Sequence, residues 1–113
     1  MPYIKCETNI EIDDTNKESF LINISDFVSK LLSKPSKYIM VSLNQNKLVL
    51  DKSFEPVMYI EFKSIGLQEN KCNEYSKSVC EFIESELNIP CDRIYIEFSN
   101  INGKMFGWNK HTF

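Results

Sequence analysis

One grammar, written twice, constrains this chain more than any other feature. A shift of 55 residues lays Phe20, Ile24, Phe27, Val28 and Leu32 over Tyr75, Val79, Phe82, Ile83 and Leu87, and lays Pro35 over Pro90. The exits agree as well. Leu32-x-x-Pro35-x-x-Tyr38-Ile39-x-Val41 reads onto Leu87-x-x-Pro90-x-x-Arg93-Ile94-x-Ile96, and Tyr3-Ile4 reads onto Tyr59-Ile60 one residue further along. Each half therefore runs strand, helix, proline, strand. Two β-α-β units with right-handed crossovers most economically form one four-stranded mixed sheet with both helices on one face, an α/β chain of the α+β two-layer sandwich kind. Residues 1–113 are expected as one domain, with pseudo-repeats 1–55 and 56–100 and a tail, 101–113, outside the repeat.

Local patterns say where the elements fall. From Tyr3 to Thr8 the chain alternates, with Ile4, Cys6 and Thr8 on one side and Tyr3, Lys5 and Glu7 on the other, which is the period of a half-buried strand. Thr15 followed by Glu18 has the form of a capping box, and the apolar series from Phe20 through Leu31 and Leu32 then recurs at helical spacing. Pro35 ends that helix, because its ring disfavours helical geometry just before it, and Tyr38 to Leu43 reads as the next strand. A minor strand is expected at Leu48 to Leu50, between two polar turns. The predicted core is Ile4, Cys6, Ile60, Phe62, Ile94, Ile96 and Phe98 facing the helices. That leaves Tyr3, Lys5, Glu7, Tyr59, Glu61, Lys63, Tyr95 and Glu97 on the opposite face. Such a face, with free sheet edges, calls for cover by self-association. The aromatic tail is expected as a short strand on a neighbour's sheet edge, carrying Phe106, Trp108 and Phe113 to a shared site.

Composition excludes several classes of function. With 113 residues and 42% hydrophobic content there is material for one core without disulfides or metal. A net charge of −3 with scattered lysines argues against nucleic-acid binding, which needs a clustered basic face. No apolar run approaches membrane-spanning length and no secretory signal pattern opens the chain, so the expected compartment is the cytoplasm. Cys6, Cys72, Cys80 and Cys91 form no C-x-x-C pair, and they are expected to be reduced and mostly buried. One histidine, His111, cannot assemble an ordinary metal site.

The proline at position two is the candidate reactive group. Once Met1 is removed, the Pro2 nitrogen is a secondary amine, and desolvation of that amine lowers its pKa toward the range where it serves as a base. With Met1 in place it is an inert amide.

Met1-Pro2-Tyr3-Ile4, Ser33-Lys34-Pro35-Ser36-Lys37-Tyr38-Ile39, Ser64-Ile65-Gly66, Asp92-Arg93-Ile94-Tyr95-Ile96 and Gly107-Trp108-Asn109 with Thr112-Phe113, in that order across the whole chain, resemble the macrophage migration inhibitory factor family. The resemblance implies the tautomerase fold, a homotrimer in which three sheets surround a central channel with the helices outside. It also implies keto–enol tautomerisation of small aromatic α-keto acids such as phenylpyruvate, and of dopachrome analogues, with no cofactor. Pro2 matches the catalytic base and acid. Lys34 matches the lysine that depresses the proline pKa and pairs with the substrate carboxylate. Ile65 matches a position that meets substrate through its backbone, Tyr95 a pocket tyrosine from an adjacent subunit, and Tyr38, Trp108 and Phe113 the aromatic wall, with Phe106 beside them.

Two departures bear on substrate. Glu97 stands where relatives commonly carry asparagine, and Tyr3 replaces a slimmer residue beside the proline. Val57 and Ile60 occupy the positions of the C-x-x-C that some relatives use in thiol exchange, so no thioredoxin-like activity is expected. The resemblance admits a second reading, a cytokine-like ligand released by a non-classical route that engages a host immune receptor and carries a vestigial pocket. A third is a non-catalytic scaffold.

Overall fold

The computed structural model describes residues 1–113. Its sheet contains β1 (Tyr3–Thr8), β2 (Met40–Gln45), β3 (Met58–Ile65) and β4 (Ile94–Ile101) in the order β2-β1-β3-β4. β1 runs parallel to β2 and β3 parallel to β4, while β1 and β3 meet antiparallel at the centre. The crossovers are α1 (Asp14–Leu32) and α2 (Cys72–Leu87). The mixed sheet thus joins two β-α-β units through their first strands.

The alternation of β1 and β3 is complete. Ile4, Cys6, Met58, Ile60 and Phe62 are fully buried, and they share one cluster with Phe20, Ile24 and Val28 of α1 and Val79 and Ile83 of α2. Both helices therefore cover the same face, and they touch each other where Phe27 stacks on Phe82 with ring centroids 4.4 Å apart. Each fully buried aliphatic or aromatic side chain contributes about 1.5–3 kcal/mol over an exposed one. Of the predicted core, Ile96 and Phe98 are only partly buried, because β4 is an edge strand and lacks a neighbour on one side. Met58, Leu67 and Ile89 complete the core instead.

Several boundaries differ from the sequence reading for local reasons. Asp13 rather than Thr15 caps α1, its carboxylate accepting the Asn16 N–H at 2.9 Å. A charged acceptor at that end also meets the helix dipole, which threonine cannot do. β2 begins two residues later than expected because Ser36–Tyr38 first makes a single 3-10 turn behind Pro35. Leu48 to Leu50 is not a strand: Leu50 bridges only to Ser53, across Asp51 and Lys52, both at positive φ. The tail closes on its own chain as a hairpin of β5 (Gly107–Trp108) and β6 (His111–Thr112), not as one extended strand. Asn109 and Lys110, both at positive φ, supply the two-residue turn whose twist suits a hairpin. The four cysteines are free, but only Cys6 is fully buried.

Candidate active site

The two units exit their helices alike. Ser33 ends α1 and Asn88 ends α2, each at positive φ, with a proline two residues later and one 3-10 turn after it. Between cap and proline the units part: the second places Ile89, fully buried, where the first places Lys34. An apolar anchor in one unit is thus an ammonium in the other.

That ammonium is held firmly. The Lys34 N–H donates to the Ser29 carbonyl at 3.0 Å, and its side chain crosses to the end of β3, where Nζ donates to Ser64 Oγ at 3.1 Å and to the carbonyl of Ile65. Ser64 is fully buried. β3 stops at this point because Gly66, at φ +71, turns the chain through a conformation that a side chain would strain. The chain's amino group, on Met1, lies beside Lys34, and burial first and the lysine charge second hold its pKa below the ordinary value. Burial also lowers the pKa of Lys34, against a hydrogen bond with the amino group that raises it.

Pro2 is buried at the head of β1, on the helix-facing side, and its carbonyl accepts the Met40 N–H at 3.1 Å. Its ring nitrogen has no N–H to donate, which costs nothing at a strand start. Beside it opens a cleft of about 610 Å³ lined by Met1, Pro2, Tyr3, Tyr38, Phe106 and Trp108, together with Lys37, Ile39, Met40, Lys63, Ile101, Met105 and Gly107. The tail hairpin makes the aromatic wall. Trp108 stacks on Phe113 at 5.6 Å, Tyr38 meets Trp108 edge-on at 5.6 Å, and Phe106 packs edge-on against Phe113 at 6.0 Å.

Pro2, Tyr3, Lys34, Ile65, Tyr38, Phe106, Trp108 and Phe113 therefore gather at one end of the sheet. Tyr95 and Glu97 do not join them. Tyr3 shares a row with Lys63 and Ser99, and Tyr95 lies four residues further along β4, about 13 Å down the sheet and two strands over. Both side chains stand exposed on the face away from the helices, where Glu97 accepts a hydrogen bond from the Tyr59 hydroxyl at 3.1 Å. The sequence reading named neither Lys37 nor Lys63 as a site residue. The signals were at hand: Lys37 stands one residue before Tyr38, and Lys63 one before Ser64. A partly buried amine next to a fixed ammonium, at the mouth of an aromatic cleft, has the makings of a proton-transfer site for an anionic aromatic molecule.

Comparison with known proteins returns one family throughout. The family model described as macrophage migration inhibitory factor matches residues 1–113. The macrophage migration inhibitory factor homolog of Trichinella spiralis is 34% identical, with all of both chains covered. The macrophage migration inhibitory factor of Xenopus tropicalis is 30% identical over all of this chain and 99% of its own. Among solved structures, the homologue from Prochlorococcus marinus superimposes with a TM-score of 0.90 at 37% identity, covering 98% of each chain.

Proposed function

The chain belongs to the macrophage migration inhibitory factor family, and from that premise we propose that it is a phenylpyruvate tautomerase, acting also on dopachrome analogues, with the Pro2 nitrogen as base and acid. Loss of Met1 unmasks the amine. The neutral amine lifts a proton from the carbon next to the ketone, the electron pair moves into the enolate, and the protonated amine returns that proton to the oxygen. The enol forms with no atom gained or lost, and ketonisation is the same path reversed. Lys34 lowers the amine's pKa and pairs with the substrate carboxylate, while Tyr38, Phe106, Trp108 and Phe113 hold the ring.

The observation that carries this reading is the placement of Lys34 beside the buried start of the chain, where its charge disfavours a second cation. The exposed positions of Tyr95 and Glu97 support a homotrimer in which a neighbour's β4 completes each cleft. Glu97 then brings a negative charge toward an anionic substrate, offset by the lysines of the cleft.

The test compares chains beginning at Met1 and at Pro2, and a Pro2→Gly variant, in the ultraviolet ketonisation assay. Turnover confined to the Pro2 chain is the expected result. Equal rates in the Pro2→Gly variant remove Pro2 from the mechanism.

Kinship to macrophage migration inhibitory factors supports a second reading, a cytokine-like ligand for a host immune receptor. Receptor binding retained in the Pro2→Gly trimer would separate this role from turnover, and absence of binding would retire it.

A further inference from the structure

The chain carries 16 acidic residues against 13 basic ones, yet the only charged side chains lining the Pro2 cleft are Lys37 and Lys63. We propose that this pair selects a ligand with two anionic groups: an aromatic keto acid bearing a second carboxylate on its ring. The proposal rests on the tautomerase reading for the placement of the first carboxylate at Lys34.

The three lysines come from three directions. Lys34 reaches the end of β3 on the helix side, where it holds Ser64 and Ile65. Lys63, one residue before Ser64 on the same strand, points to the opposite side by the alternation of the strand, in register with Tyr3 across β1. Lys37 sits on the 3-10 turn, its ammonium 5.0 Å from the centre of the Tyr38 ring. Lys37 and Lys63 share the lining of the cleft with the apolar Pro2, Tyr38, Ile39 and Phe106, and Lys34 lies outside that lining, on Ser64 and Ile65. A ring lying across those apolar side chains, its first carboxylate at Lys34 as the tautomerase reading has it, has its far end at two ammonium groups, against the one Glu97 carboxylate that a neighbour would bring.

Within the chain, neither rim lysine is firmly committed elsewhere. Lys37 has no carboxylate within 4.0 Å, and Lys63 reaches only Glu61, at 3.8 Å with both side chains partly in water, a contact that holds it weakly. The cleft, at about 610 Å³, has room for more than a small monocarboxylate, since pockets of about 300–1,000 Å³ take drug-sized ligands.

The test uses probes without a ketone, so that binding is read apart from turnover: phenylpropionate and its para-carboxy derivative, titrated calorimetrically into the trimer beginning at Pro2. The expected result is tighter binding of the dianion by about fivefold per lysine engaged, an advantage that shrinks with added salt. Lys37→Gln and Lys63→Gln should each lower the ratio of the two dissociation constants by a similar factor. Equal binding of the two probes, binding of neither, or a ratio unchanged in both variants overturns the proposal. Ketonisation of phenylpyruvate in the same preparation reports separately on the tautomerase reading, which survives a failed probe ratio and falls if no turnover accompanies a positive one.

Discussion

The Lys34 ammonium lies 3.1 Å from the Ser64 hydroxyl, at a position whose counterpart in the second β-α-β unit, Ile89, is fully buried. The site therefore stands where one unit departs from the other's apolar packing. Lys34→Met keeps the length of the stem and removes the charge. Ser64 remains satisfied, because its hydroxyl can also donate to the Ile65 carbonyl at 3.3 Å. The expected outcome in a chain beginning at Pro2 is a fall in kcat/KM for phenylpyruvate of roughly tenfold to a thousandfold. The unfolding free energy should change by less than about 1 kcal/mol.

The amino group of the Met1 chain gives stability a pH dependence of definite sign. Its folded pKa lies below the ordinary 8.0, through burial first and Lys34 second. Between the two values the unfolded chain binds more protons than the folded one, so stability rises with pH across that window and levels off above 8.0. Urea midpoints measured between about pH 6 and pH 8, below the range where the four thiols with raised pKa values begin to lower stability, should climb in this way, and Lys34→Met should shallow the slope without abolishing it, since burial remains. A midpoint that falls over the same range contradicts the placement of that amine.

Much of this architecture was legible because its signals are periodic. Ile4, Cys6, Ile60 and Phe62 follow a period of two, and Phe20, Ile24, Val28, Val79 and Ile83 follow a helical one, so pattern alone assigned them to a shared core. What failed to show was set by pairing and by competition between short-range options. Asp13 and Thr15 are both competent caps, and only the backbone decides between them. The partial exposure of Ile96 and Phe98 follows from the edge position of β4, which no local pattern records. The tail hairpin depends on Asn109 and Lys110 both taking positive φ, which a lysine does not advertise. That Pro2, Lys34 and Tyr38 lie near one another at one end of the sheet follows the order of the motifs. The separation of Tyr95 and Glu97 from them needed the sheet register.

Arg93 binds four carbonyls at once: Pro56 through Nε at 2.8 Å, Leu50 through Nη1 at 3.2 Å, and Ser53 and Glu55 through Nη2 at 3.1 and 3.0 Å. Its planar fork replaces the ladder that the segment 48–56 lacks. Arg93→Lys retains the charge but cannot hold that geometry, and it should cost about 2 kcal/mol in urea unfolding. Limited proteolysis should then cut within residues 50–56, at a rate the parent chain does not show.

Cys6 separates itself from the other three thiols. It is wholly enclosed between β1 and the helices, and burial pushes its pKa up to about 12, so almost no thiolate forms near neutrality. Cys72, Cys80 and Cys91 are partly exposed, with thiol pKa values also raised, first by desolvation and then by neighbouring glutamates. Native protein titrated with an aromatic disulfide reagent at mildly alkaline pH should therefore release three equivalents slowly and the fourth only in denaturant. Cys6→Ser places a hydroxyl without a nearby acceptor in the centre of the sheet and should cost about 1–3 kcal/mol, while serine at Cys72 should cost little. Ready labelling of Cys6 in the native state would mean that β1, and with it the anchorage of Pro2, opens more easily than its burial indicates.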